Sequence, residues 1–459
     1  MNTGGILMSG KSKKASKLAW WQLSMIGIGC IIGTGFFLGS ALAITKTGPS
    51  AIIVFALAAI GTYLVFDALA KMAAKDPQKG SFRSYAKKAY GKWAGFSSGW
   101  VYWGSELLIM GSQLTALSLF SRFWFPNIDL WIFAAGYAVL GLGVVLTGTN
   151  GFEKMENLFA IVKVSAIFMF LVLATLAVFG VFKGLGHEVN LSNTMDHFFA
   201  GRIMGLWTAL IYAFYAFGGI EIMGIMAPRL KNKEDAPKAG KIMLLLLTTI
   251  YLLAIGLAVI LVPYKDFTTK DSPFVTTLDH YNLPFVPHLF NGAMIIAGFS
   301  TMCASLFAVT SMIVTLSKDG DAPKVLSKQG KLKVPHFALG LTVLGLITSI
   351  ILSFAMPERI YEYLTTAAGL MLIYNWLFLM FSYKHIIKLT TFEQVKRFVA
   401  IVLILAAVSG TLFDHMARPG FFISLLFIGI IGIILILRNV IGGKKKKKRS
   451  AKVPRTRFQ

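Results

Sequence analysis

Four side chains that can carry charge fall inside stretches that are otherwise apolar: Asp67, Glu106, Lys163 and Glu221. An amide, Gln113, lies two helical turns beyond Glu106. Ionisable groups at membrane depth are costly, and they mark substrate contacts or proton paths by default. Lys163, in FAIVKVSAIF, has apolar neighbours on both sides. Asp67 and Glu221 are nearer the ends of their segments, where a charged head can reach water. The chemistry on offer is proton binding, with Lys163, Glu106 and Glu221 as the candidate coupling groups. No nucleophile or His/Asp constellation with useful spacing marks an enzyme. Seven scattered histidines show no metal spacing, and no cofactor or metal is implied. Cys30 and Cys303 both lie in apolar stretches, which gives no disulfide framework.

A second kind of chemistry belongs to the backbone. The stretch SMIGIGCIIGTGFFLGSALAITKTG, residues 24–48, can span a bilayer yet carries Gly27, Gly29, Gly33, Gly35 and Gly39 in its interior. Each costs a helix about 1 kcal/mol relative to alanine. A break at Gly33-Thr34-Gly35 presents bare N–H and C=O groups and a half-helix N-terminus suited to a carboxylate. The alternative is a glycine face for close helix packing. A later segment, LWTALIYAFYAFGGIEIMGIMA, is interrupted by Gly218-Gly219 in the same manner. Two interrupted spans point to an inverted repeat whose broken helices meet at one central site.

The elements that must position these groups are transmembrane helices. The chain has 459 residues, 56% of them hydrophobic, and a mean hydropathy of +0.69. Spans of about 20 residues are expected at 20–44, 49–70, 95–119, 128–147, 157–182, 204–227, 241–262, 289–316, 335–356, 362–384, 396–414 and 419–440. The fold class is therefore an all-α integral membrane protein with twelve transmembrane helices. Residues 20–384 form a ten-helix core of two five-helix repeats, and 396–440 hold two accessory helices. The net charge of +25 sits in short loops between spans, which argues against nucleic acid. Most of the 45 lysines and arginines fall on one side, so both termini, 1–19 and 441–459, are expected in the cytoplasm of a cell membrane protein. The first span carries no small-residue cleavage site and is read as retained. The tail KKKKKRSAKVPRTRFQ reads as a contact for anionic lipid, worth about 1 kcal/mol per charge. Loop 71–93 alternates aromatic and lysine residues, either as an interfacial amphipathic helix or as a plain topogenic loop. Asp319-Gly320-Asp321 lacks the other ligands of a calcium loop and reads as a solvated turn.

Several stretches together resemble the amino acid–polyamine–organocation superfamily, in its amino acid permease branch of proton symporters. They are GIGCIIGTGFFLGS (27–40), DPQKGSFRSYAKKAYGKWAGFSSGWVYW (76–103), EKMENLFAIVKV (153–164), FYAFGGIEIMGI (214–225), SPFV (272–275) and TLSKDGDAPK (315–324). The resemblance implies a LeuT-like core. It places a substrate carboxylate on the N–H groups of Gly33, Thr34 and Gly35. The α-amino group falls on carbonyls near Ile31 and on those of Tyr215, Ala216 and Gly218. Tyr215 matches a gating aromatic, and Lys163 a lysine standing where sodium-coupled relatives hold their ion. The chain departs from the branch at Lys71, Gln113 and Arg229, where glutamate is usual. With Gln113 in place of a carboxylate, a neutral amino acid is favoured as substrate, small or hydroxylated. An amino acid exchanger and a transporter that also signals through its basic segments remain the competing functions.

Overall fold

The computed structural model describes residues 18–78, 81–181, 197–281, 283, 285–328, 335–355 and 359–450. These residues are helical throughout, with one isolated bridge between Leu18 and Leu230 in place of any strand. The first apolar stretch forms α1 (Trp20–Ile31), α2 (Thr34–Phe37) and α3 (Gly39–Thr47). Then come α4 (Ala51–Lys75), α5 (Ser81–Tyr90), α6 (Lys92–Arg122), α7 (Leu130–Leu146) and α8 (Gly148–Val178). The second interrupted stretch gives α9 (Arg202–Ala216) and α10 (Ile220–Met226). The remainder is α11 (Ala236–Leu261), α12 (Pro273–Asp279), α13 (Val286–Lys318), α14 (His336–Ala355), α15 (Ile360–Ile386), α16 (Thr391–Phe413) and α17 (Arg418–Ser450).

Seven helical stretches among these residues are long and apolar enough to cross a membrane, and three shorter apolar helices accompany them. Their outward faces carry large bare side chains such as Val139, Phe168, Ile203, Phe398 and Leu426. A surface of that kind is stable against lipid and not against water. Backbone polar groups at that depth must be paired within the chain, which is why the segments are helices.

α6 lies between α13 and α15 at the centre of the bundle. Its Ser98, Ser105 and Ser112 recur every seven residues, and all three are buried. Ser98 pairs with Asn375 (3.1 Å) and Ser112 with Thr365 (2.7 Å), both on α15. Small hydroxyl residues let the two backbones approach and bond across the seam. The short α2 is fixed by aromatic stacking: Phe36 lies parallel to Tyr251 at 3.9 Å and against Phe274 at 4.8 Å.

The basic loop after α4 does form a helix, α5, but not one lying free at an interface. Phe82, Tyr85 and Ala86 are buried against protein, and so is Arg83. Arg83 is held by Asp319 and Asp321 and donates from Nε to the Gly95 carbonyl (3.1 Å). Arg438 of α17 closes on the same Asp321 at 2.7 Å, and Trp100 donates to its carbonyl. Asp319-Gly320-Asp321 is therefore the anchor of a buried arginine and not a solvated turn. Removing one partner from such a pair leaves a buried charge, at a cost of about 3–5 kcal/mol. Nearby, the Lys88 ammonium and the Gln78 amide hold the Asp76 carboxyl below its usual range.

Candidate substrate and ion site

Helix α1 stops at Ile31. Ile32 leaves the helix (φ −68°, ψ 110°), Gly33 is extended (φ −162°, ψ −158°), and α2 restarts at Thr34. Leu38 keeps a helical conformation, so α2 runs on into α3. The first N–H groups of the restarted helix have no carbonyl one turn behind them. Extended backbone does not require glycine; space does. A Cβ on Gly33 would lie 2.7 Å from Thr301 Cγ2, and one on Gly35 would lie 3.1 Å from the Tyr215 ring.

The second break follows Ala216. The N–H groups of Phe217 and Gly218 fold back onto the carbonyls of Phe214 (3.1 Å) and Tyr215 (3.0 Å). Gly219 is left-handed (φ 112°), a conformation that demands glycine. The two breaks touch. A Cβ on Gly219 would lie 3.2 Å from Ile31 Cγ1 and 3.5 Å from the Cys30 carbonyl, while Tyr215 covers Gly35. Glycine-interrupted stretches nearly two hundred residues apart thus meet in one place.

Side chains close around them. The Tyr215 hydroxyl donates to Ser112 (3.2 Å), the Tyr361 hydroxyl to the Thr34 carbonyl (3.2 Å), and the Tyr251 hydroxyl to the Ala216 carbonyl (3.1 Å). The Tyr215 and Ala216 carbonyls each keep one further lone pair for another donor. Gln113 is 6% exposed and Thr34 1%. Among the described residues, neither Gln113 Oε1 nor Thr34 Oγ1 has a hydrogen-bond partner. Space beside Gly218 is taken up, because a Cβ there would lie 2.9 Å from Leu372 and 3.0 Å from the Tyr215 carbonyl. Tyr361, Ser112 and Tyr251 escaped the sequence reading, since a hydroxyl in an apolar helix gives no local sign of which face it is on.

The charged candidates divide. Lys163 is fully buried and donates to the Gly29 carbonyl at 2.8 Å. That carbonyl is in the last turn of α1, where the break deprives it of a helical partner. Glu221 is not at a wet helix end. It is 2% exposed, accepts from Trp376 Nε1, and accepts at 3.1 Å from the N–H of Gly219, so it fastens the second break. Glu106 is 8% exposed, two turns from Gln113, beside Tyr102 and Ser305 and within the field of Glu221. Asp67 lies elsewhere, in a surface network with Lys71 (3.1 Å) and Lys396 (3.3 Å); Lys71 also reaches Glu393 at 2.8 Å. Lys71 therefore belongs to an ion-pair network, well apart from Gln113.

The family described as "Amino acid permease" matches residues 22–449. The chain belongs to the amino acid permease family. The permease is 56% identical over 438 residues, 95% of its length and 98% of the relative's, to the uncharacterized transporter YcgH of Bacillus subtilis (strain 168). It is 30% identical over 424 residues to the aromatic amino acid transport protein AroP of Escherichia coli O157:H7, covering 91% and 88% of the two chains. The uncharacterized amino acid permease YvbW of Bacillus subtilis (strain 168) is 30% identical over 366 residues, covering 79% of this chain and 82% of that relative. Family and apolar helices together make this permease a multi-pass membrane protein of amino acid transport.

Proposed function

We propose that the permease imports a neutral amino acid across the cell membrane by proton symport, binding it where the two helix breaks meet. The observation that carries this reading is the contact of the breaks around Gly35, Tyr215, Ile31 and Gly219. There the N–H groups of Gly33, Thr34 and Gly35 suit a carboxylate. The carbonyls of Ile31, Tyr215, Ala216 and Gly218 suit an ammonium group. Two opposed helix ends recognise a zwitterion without a buried counter-charge. Twelve spans, a five-plus-five repeat and cytoplasmic termini complete the proposal, with the basic tail against anionic lipid. Lys163 is the leading coupling group, with Glu106 and Glu221 behind it. Relatives named as aromatic amino acid transport proteins make an aromatic substrate the competing one.

The test is uptake of radiolabelled amino acids into proteoliposomes under an imposed pH gradient. Symport is expected to concentrate substrate and to stop when a protonophore is added. Uptake that occurs only when the vesicles are preloaded with an amino acid would instead mark an exchanger.

Gly218→Leu tests the second break. Because its side chain would meet Leu372 and the main chain of Tyr215, it is expected to reduce uptake of glycine and of larger amino acids alike. A loss confined to larger substrates would place Gly218 on the wall of the substrate cavity.

A further inference from the structure

The site holds two buried polar atoms with opposite needs, and they narrow the substrate further than the family does. Thr34 Oγ1 carries a hydroxyl hydrogen and can donate to a carboxylate beside it. Gln113 Oε1 can only accept. Neither has a partner among the described residues.

Gln113 is tied to the meeting point of the breaks from two sides. Its neighbour Ser112 accepts from Tyr215, the ring that covers Gly35. One turn further along α6, Leu117 borders Gly298 of α13 together with Thr34, a Cβ there falling 3.0 Å from Leu117 and 2.8 Å from Thr34, and α2 and α6 are in contact. The turn of α6 that bears Gln113 is thus packed against α2.

We propose, building on the binding reading above, that Gln113 Oε1 accepts a hydrogen bond from the substrate's own side chain, and that the substrate is a small hydroxylated amino acid of the serine and threonine class. The α-ammonium does not serve this acceptor, because its carbonyl partners are at the breaks. A buried acceptor left unmet is costly, and a hydroxyl on the substrate's side chain supplies the donor. A cationic side chain gains no carboxylate at this position.

The deciding comparison is between threonine and valine, which share a shape and differ by the hydroxyl. Purified permease in detergent is titrated with L-threonine, L-valine, L-serine, L-alanine, L-tyrosine and L-phenylalanine, and binding is read by thermal shift and by displacement of a radiolabelled amino acid. Wild type is expected to bind threonine about tenfold or more tightly than valine, and serine more tightly than alanine, since a site built for a hydroxyl rejects the analogue without one. Gln113→Leu is expected to bring the threonine-to-valine ratio close to one. Gln113→Glu, which keeps acceptor oxygens, is expected to preserve the preference. The ratio is insensitive to a general loss of affinity: a preference that survives in folded Gln113→Leu overturns the role of Gln113, while the wild-type ratio decides the substrate class even if a variant does not fold. Equal binding of threonine and valine, or tightest binding of phenylalanine or tyrosine, overturns the substrate class while the binding site stands. If neither these six nor the other fourteen standard amino acids bind wild type, the site itself fails, and this inference with it.

Discussion

Gly35→Val is expected to abolish uptake while the protein still reaches the membrane. The Cβ alone would lie 3.1 Å from Tyr215 Cδ1 and Cε1 and 3.3 Å from its carbonyl oxygen. Valine adds two γ-carbons beyond that point. The ring cannot swing aside freely, because its hydroxyl is bonded to Ser112, which is itself paired with Thr365. The carbonyl is main chain at the second break. Relief therefore has to come from parting the two breaks, the groups proposed to bind substrate. Displacing positioned groups by about 1 Å typically costs about a hundredfold in rate, and uptake is expected to fall at least that far. Gly35→Ala, without the γ-carbons, is expected to retain part of the activity. Initial rates of radiolabelled uptake, normalised to the amount of protein in the membrane, give the measurement. Uptake by Gly35→Val within about twofold of wild type would return residues 24–48 to the role of a packing face.

That expectation was half legible in the sequence. Clusters of glycine in apolar stretches marked where the helices stop, because glycine is costly within a helix wherever it falls. The physical reason at each glycine was not legible. Gly219 alone at the breaks needs a left-handed backbone, whereas Gly33 and Gly35 need room for Thr301 and Tyr215, which come from other helices. The same limit applies to charge. An isolated lysine in FAIVKVSAIF announced itself by its cost in an apolar stretch, but its acceptor on Gly29 comes from another helix. Arg83 looked like one more basic loop residue. Its partners Asp319 and Asp321 are more than two hundred residues away, and only the packing of α5 against α6, and of α6 against α13, brings them together. For Glu221, a coupling candidate in the sequence, the position near a helix end was legible, but Trp376 was not.

Lys163→Ala is expected to lose accumulation driven by a proton gradient, and Lys163→Arg to lose it as well. The ammonium bridges α8 to the last turn of α1, immediately before the first break. A lysine so placed has two states with different mechanical consequences. Protonated, it ties the Gly29 carbonyl to α8 and steadies α1; deprotonated, it has fewer hydrogens to give and releases that end. Arginine keeps the charge at every relevant pH and cannot alternate. A purely structural lysine makes a different prediction. Its loss would leave the Gly29 carbonyl buried without this donor, at a cost of about 1–3 kcal/mol, and would weaken binding, exchange and accumulation together. Three measurements separate the cases: accumulation under a pH gradient, exchange at equal pH across the vesicle, and substrate binding as a function of pH. Coupling predicts that Lys163→Ala loses the first and flattens the third while exchange persists. If Lys163→Ala still concentrates substrate with the pH dependence of wild type, the proton is carried elsewhere. Glu106, buried beside Tyr102 and Ser305, is then the group to replace next.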